Sequence, residues 1–199
     1  MFTRIVTFTN ATDIDAGLRY VQDTVVPLLH GQNGFRGITV SADRSLGVLS
    51  VLGLWATEAD RDASESPMAK TRQEAQRIIG GDLSVEHFEE LLLDAAQPPA
   101  VGNALHLRRI SMDPATVDEN LEYFRQEVVP LFKAAPGFRA VRNMVNRQTG
   151  EGIVGTLWTD KASRDAAAEA GDARRQLAAN RGVTFGAQSR REIVLVDMP

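Results

Sequence analysis

The chain repeats itself. GLRYVQDTVVPLLHGQNGFRG in the first half is matched by NLEYFRQEVVPLFKAAPGFRA in the second, at an offset of 103 residues and without a gap. Val25-Val26-Pro27-Leu28 aligns with Val128-Val129-Pro130-Leu131, and Gly34-Phe35-Arg36 with Gly137-Phe138-Arg139. Leu54-Trp55 aligns with Leu157-Trp158, and Arg61-Asp62-Ala63 with Arg164-Asp165-Ala166. Roughly two positions in five are identical between Asp15 and Ala63, far above chance. This period is too long for a solenoid and suits two domain-sized copies. Gln97-Pro98-Pro99-Ala100-Val101-Gly102 lies between them. Its prolines sustain neither a helix nor a central strand, so it reads as a linker. The sequence thus predicts two like domains, residues 1–96 and 103–199.

Within one copy the periodicities alternate. Phe2 to Thr9 is β-branched and aromatic and reads as a strand. Thr12-x-x-Asp15, echoed by Thr116-x-x-Glu119, has the spacing of a capping box. Ile14, Leu18, Val21, Val25 and Leu28 then form one apolar helical stripe, as do Val117, Leu121, Phe124, Val128 and Leu131. Pro27 and Pro130 fall late in these helices and imply a bend or an end there. Gly34 and Gly137 supply helix stops. Phe35 to Ala42 and Val48 to Trp55 read as strands around a turn at Asp43–Gly47, with a matching turn at Arg147–Gly150. VLSVLGLW is apolar on both faces, so its sheet is expected to be covered by helices on one side and by another sheet on the other. Helical segments follow from Glu58 and from Pro67 to Ile79, with Ser66 as the expected N-cap. Phe88 to Ala95 and Glu192 to Val196 read as closing strands.

Each unit is therefore β-α-β-β-α-β. The expected fold class is α+β, with two tandem ferredoxin-like units packed sheet to sheet as an intrachain pseudo-dimeric α+β barrel. With its VVPLL helix end, the Gly-Phe step into the second strand and the Leu-Trp exit into an Arg/Ala-rich helix, the chain resembles the dimeric α+β barrel superfamily. Within it, the likeness is to antibiotic-biosynthesis-monooxygenase-like proteins. That resemblance implies a pocket between the sheet and helices of a unit. It also implies cofactor-independent oxidation of an aromatic or polyketide-like substrate, whose stabilised carbanion passes an electron to dioxygen itself.

Composition narrows the alternatives. A net charge of −4 and a pI near 5.4 argue against nucleic acid or an anionic membrane as partner. The absence of cysteine excludes disulfides, thiolate catalysis and cysteine-ligated metals. No stretch of 18 apolar residues occurs, and a cytoplasmic location is expected. The expected partner is a small hydrophobic or aromatic ligand, and no cofactor or metal is expected. Further homodimerisation of the chain is left open.

Five residues are the candidate ligand contacts. Trp55 and Trp158 occupy equivalent strand ends, and the resemblance implies that they line the pocket; a large aromatic there also simply fills core. Arg36 and Arg139 follow the Gly-Phe step and could clamp an anion or sit at the rim in an ion pair. Asn10 ends the first strand, where haem-degrading relatives place a pocket asparagine, yet its counterpart Asp113 precedes a proline and looks like a cap. Haem degradation itself is disfavoured, because neither Pro67–Ile79 nor 172–181 carries the histidine that it requires. His30, His87 and His106 are scattered, with no metal-ligand spacing. Arg61 and Arg164 are expected on a solvated helix face. Tyr20 and Tyr123 are expected to pack on Pro27 and Pro130. Gly150-Glu151-Gly152-Ile153-Val154-Gly155 spells a dinucleotide fingerprint, but in a turn and strand rather than between a strand and a helix, so it is set aside. Two readings remain: a cofactor-independent monooxygenase, or a non-catalytic ligand-binding or stress-related barrel.

Overall fold

The computed structural model describes residues 1–169 and 171–198, with 172–174 described by backbone alone. Eight strands hydrogen-bond antiparallel in the order β1-β3-β2-β8-β5-β7-β6-β4, a closed barrel in a mixed α+β fold. These strands are β1 (Phe2–Thr9), β2 (Phe35–Asp43), β3 (Val48–Trp55), β4 (Asp82–Ala95), β5 (Ala104–Ser111), β6 (Phe138–Val145), β7 (Glu151–Trp158) and β8 (Thr184–Asp197). Two compact units are distinguished: Met1–His87 with Glu192–Pro199, and Phe88–Arg191.

In the first unit, β3 lies between β1 and β2, pairing Phe2 and Phe35 with Trp55. The end of β8 completes this sheet, Ile38 pairing with Asp197 and Ala42 with Glu192. In the second unit, β7 lies between β5 and β6, pairing Ala104 and Phe138 with Trp158. There the end of β4 supplies the added strand, Glu89 pairing with Val145 and Ala95 with Ala140. Both long strands therefore start in one unit and finish in the other. Their final aspartates are pinned alike: His30 Nε2 lies 2.6 Å from Asp197 Oδ1, and Lys133 Nζ lies 3.1 Å from Asp94 Oδ2. β4 and β8 begin well before Phe88 and Glu192, where strands were expected to start. Their leading segments, DLSVEH and TFGAQSRR, are too polar to signal a strand.

The helices of the first unit are α1 (Ile14–Tyr20), α2 (Val26–His30), α3 (Glu58–Ala63) and α4 (Glu65–Ile79). Those of the second are α5 (Val117–Tyr123), α6 (Val129–Lys133), α7 (Lys161–Glu169) and α8 (Asp172–Ala179). Between α1 and α2, Val21–Val25 makes a π turn in which Val26 N–H donates to Val21 O. Phe124–Val128 does the same before α6, with Val129 N–H donating to Phe124 O. The proline after each turn cannot donate a helical N–H, and its ring crowds the carbonyl four residues back; the wider turn relieves that crowding. The extra residue rotates the remainder of the helix by about one helical step. The expected stripe therefore fails at its last position: Leu28 and Leu131 are exposed, whereas Leu29 is buried and Phe132 half-buried.

The expected caps also move. Asp13, not Thr12, caps α1, its Oδ1 accepting from Ala16 N at 2.8 Å. Thr12 instead donates to Ile79 O. Asp113 caps the short turn Pro114–Thr116, and Thr116 donates to Asp113 O rather than capping α5. α4 starts at Glu65, so Ser66 lies inside the helix and not at its cap. α2 and α6 end instead at Gly31 and Ala134, ahead of the expected stops; Gly34 and Gly137, with φ of 66° and 78°, turn the chain into β2 and β6, a conformation that favours glycine. Gly152 and Gly155 sit within β7, where no helix opens. In the first unit's core, Phe8, Ile38 and Leu49 of the sheet pack with Val21 of the π turn and Ile79 of α4, all almost fully buried.

Candidate functional site

The second unit holds a half-open cavity of about 110 Å³. Strand alternation builds one wall. His106, Arg108 and Ile110 project from β5, with Val154, Thr156 and Trp158 from β7 and Asn143 and Val145 from β6. The opposite wall comes from α5, the π turn and α6, which contribute Asn120, Leu121, Phe124 and Phe132. Ala167, Ala168 and Ala178 face the space from α7 and α8. Their single methyl groups leave room that larger side chains would fill.

Trp158 forms the end of the cavity. Its Nε1 donates to Thr156 Oγ1 at 3.0 Å, and Phe132 and Phe138 meet its ring edge-on at 6.4 and 5.8 Å. Two amides stand out in this apolar lining. Asn120 Nδ2 donates to Thr116 Oγ1 at 3.1 Å, but its Oδ1 has no partner among the described residues. Asn143 Oδ1 is likewise unpartnered. Both residues are over nine-tenths buried, at 7% and 4% exposure. A buried acceptor left unsatisfied costs about 1–3 kcal/mol, and both of these oxygens stand in the cavity lining.

A polar corner lies beside them. Gln188 Oε1 accepts from Arg108 Nη2 at 2.7 Å and lies 3.3 Å from His106 Nε2. Burial holds the imidazole below its ordinary 6.5; the Gln188 hydrogen bond opposes this, while Arg108, Arg190 and Arg164 add to it. Arg164 is buried, contrary to the solvated face expected for it, and its Nε donates to Asp165 Oδ1 at 2.9 Å. Arg61 is buried too and bonds Asp62 and Glu58. In both, the acidic partners carry the exposure and the guanidinium is drawn inside. Tyr123 lines the cavity, and the Arg181 guanidinium lies 4.7 Å from its ring centre.

The equivalent space in the first unit is a cavity of about 50 Å³. Strand register makes the comparison residue by residue. Arg4 pairs with Gly53 as His106 pairs with Thr156, so Arg4 holds the position of His106. It is 3% exposed and fully engaged. Its Nη1 donates to Ser64 Oγ at 2.9 Å, its Nη2 to Arg61 O, and its Nε to His87 Nε2 at 3.3 Å. Glu65 pairs with it and with Arg72. Burial, with Arg72 and Arg61 nearby, lowers the Arg4 pKa to about 10, which leaves it charged near neutrality. Its guanidinium lies 5.1 Å from the Trp55 ring centre. With Gly53 in place of Thr156, Trp55 Nε1 has no partner among the described residues. Gly17 and Val40 stand where the second unit has Asn120 and Asn143, and Met68 stands where it has Gly171.

Of the five sequence candidates, Trp55 and Trp158 each line a cavity. The other three line neither. Arg36 is exposed beside an irregularity in β2, between Phe35 and Gly37. Arg139 Nη2 donates to Pro98 O at 2.9 Å. Asn10 is exposed with φ 56° and donates to Asp82 Oδ2 at 2.8 Å, a turn residue. Asn120, Asn143 and His106 line the cavity but were not among the sequence candidates. The available signal was their contrast with Gly17, Val40 and Arg4 in the other half. Among the described residues no group of three or more His, Asp or Glu is placed to hold a metal, and no helix is long and apolar enough to cross a membrane.

No protein-family model matches the chain. Two uncharacterized proteins of Mycobacterium tuberculosis H37Rv are similar to it in sequence. One is 26% identical over 140 residues, covering 70% of this chain and 62% of its own length. The other is 27% identical over 175 residues, covering 88% and 73%. The chain thus spans about three fifths of the first relative. Among solved structures, an anthrone oxidase-like protein superposes with a TM-score of 0.71 at 15% identity, covering 99% of this chain and 92% of its own. A provisionally named monooxygenase of Lactobacillus acidophilus superposes with a TM-score of 0.69 at 10% identity, covering 99% and 96%. A ferredoxin-fold protein of Listeria monocytogenes related to antibiotic biosynthesis monooxygenases gives 0.58 at 8%, covering 98% and 95%. At these identities the likeness is one of fold: this chain has the α+β barrel architecture of monooxygenase-like proteins.

Proposed function

We propose that the second unit binds a small hydroxylated aromatic molecule and oxidises it with dioxygen, without a cofactor. The carrying observation is the pair of buried, unpartnered amide oxygens of Asn120 and Asn143 in a mainly apolar cavity. Such acceptors call for O–H donors on a flat apolar body. Size sharpens the class. A dry cavity of roughly 150 Å³ holds benzene, so a half-open space of about 110 Å³ takes in no more than a single ring of the ligand. A quinol fits both demands. The fold likeness to monooxygenase-like proteins supports the oxidative half of the proposal. We also infer that the chain arose by tandem duplication, with repeats at 1–96 and 103–199. Trp158 is assigned to the ligand wall, while Arg36, Arg139 and Asn10 have no part in the proposed site.

In this reading the protein excludes water and holds the ring, and the surrounding arginines favour its anion. Hydroquinone and dioxygen would give hydroxybenzoquinone and water, with one oxygen atom entering each product. The mainly apolar lining favours a second reading, a binder without turnover. The test is titration of the full chain with methylhydroquinone under nitrogen, followed by oxygen uptake in air. Saturable binding that Ala168→Phe abolishes, with oxygen consumption above the spontaneous rate, supports the enzyme. Binding without consumption leaves the binder. Binding that Ala168→Phe leaves intact refutes the site.

A further inference from the structure

We propose that His106 is the proton acceptor of the second unit's cavity, and that Arg4 in the equivalent position makes this chemistry the property of one unit only. The inference rests on the quinol reading above and deepens it. The tautomer is set by the neighbours. Gln188 Oε1 already accepts from Arg108 Nη2, so it is an oxygen and acts as an acceptor. His106 Nε2, 3.3 Å from the same atom, must then carry the hydrogen. That leaves Nδ1 with the lone pair of a neutral imidazole, on a side chain that lines the cavity. The charged groups around it are Arg108 on its own strand, Arg190 on β8, and Arg164 and Asp165 on α7. The three cations that disfavour an imidazolium also favour a bound phenolate, and Asp165 offsets part of their charge. A guanidinium at the same register has no lone pair to offer near neutrality, and Arg4 is committed to Ser64, Arg61 O, His87 and Glu65.

Atoms and electrons balance in the reaction. A quinol O–H breaks heterolytically, the proton moves to Nδ1, and the electron pair stays on the phenolate. One electron passes to dioxygen, and the semiquinone and superoxide combine at the adjacent ring carbon as a peroxide anion. That anion recovers the proton from the imidazolium. The resulting hydroperoxide loses water, its ring C–H proton leaving with the hydroxyl, and gives the hydroxyquinone with His106 neutral again.

The test uses 4-nitrophenol, a single ring that turns yellow on losing its proton, with the full chain in weakly buffered solution. Wild type is expected to bind it as the yellow phenolate with almost no proton released, one molecule per chain. His106→Gln, checked for folding by circular dichroism, should either bind the colourless phenol or release a proton for each phenolate bound. With methylhydroquinone the same variant should lose about 10²-fold or more in kcat/KM, together with the acidic limb of the pH profile. A His106→Gln protein that matches wild type in colour, proton release and rate overturns the proposal and leaves the quinol site standing. Two molecules bound per chain overturns the one-unit assignment. No binding to wild type, by either probe, overturns the site and the proton acceptor together.

Discussion

Asn143→Val replaces an unsatisfied cavity residue by the one that stands at the equivalent place, Val40. Asn143 is 4% exposed, and its Oδ1 has no partner among the described residues. An orphaned buried acceptor costs about 1–3 kcal/mol, and exchange for an apolar group of similar size removes that cost. The residue lies in β6 opposite Val154, where a β-branched side chain fits the pleat well. A net gain of about 1–2 kcal/mol is expected. For a chain of this length each kcal/mol shifts Tm by about 2–4 °C, so Tm should rise by about 2–8 °C. Urea unfolding should show a higher midpoint at unchanged slope, which separates a true stability gain from a change in the unfolded state. Affinity for methylhydroquinone should fall about 3- to 10-fold, the worth of one hydrogen bond. Gain in stability with loss of binding is the signature of a residue kept for a ligand. A variant that melts below wild type would mean that Oδ1 is satisfied, and the argument from orphaned acceptors would fail.

Packing and charge give two further expected outcomes. Leu131→Gln should change stability by no more than about 0.5 kcal/mol, because Leu131 is exposed, whereas Phe132→Ala, which removes a ring packed on Trp158, should cost about 2–3 kcal/mol; equal effects by urea denaturation would refute the helix phase set by the π turn. Burial and the nearby Arg61 and Arg4 lower the His87 pKa below 6.5, so the unfolded chain takes up a proton that the folded chain resists as pH falls through 6.5. Stability should decline from there downward and level off once the folded imidazole is also protonated. His106 adds to the decline over the same range. His87→Gln should flatten the Tm-against-pH curve between about pH 7 and 5, and an unchanged slope would refute the assignment.

The strand and helix order was legible because it rests on periodicity, which each half displays twice over. Periodicity put the two tryptophans at strand ends but left open whether they fill core or face a cavity; both are buried and both line one. The features that escaped share a cause: they depend on geometry that no local pattern encodes. Leu28 and Leu29 are both leucine, and only the π turn decides which is buried. Arg61 and Arg164 look solvated beside their aspartates until tertiary packing draws the guanidinium inward. The leading parts of β4 and β8 carry polar side chains, and neighbouring strands rather than propensity hold them extended. Asn120 and Asn143 break no periodicity, so only their contrast with Gly17 and Val40 marks them. The polar lining of the cavity differs between the halves at Gly17 and Asn120, Val40 and Asn143, Arg4 and His106.

The wide turns at Val21–Val25 and Phe124–Val128 bear on how sequences of this kind should be compared. Each holds one residue more than a regular spiral would, and each aims Leu29 or Phe132 inward as a result. A relative that lost that residue would align only through a single gap in mid-helix. Such a gap is ordinarily dismissed as an artefact; at these two places it would instead mark a changed lining and so a changed taste for ligands.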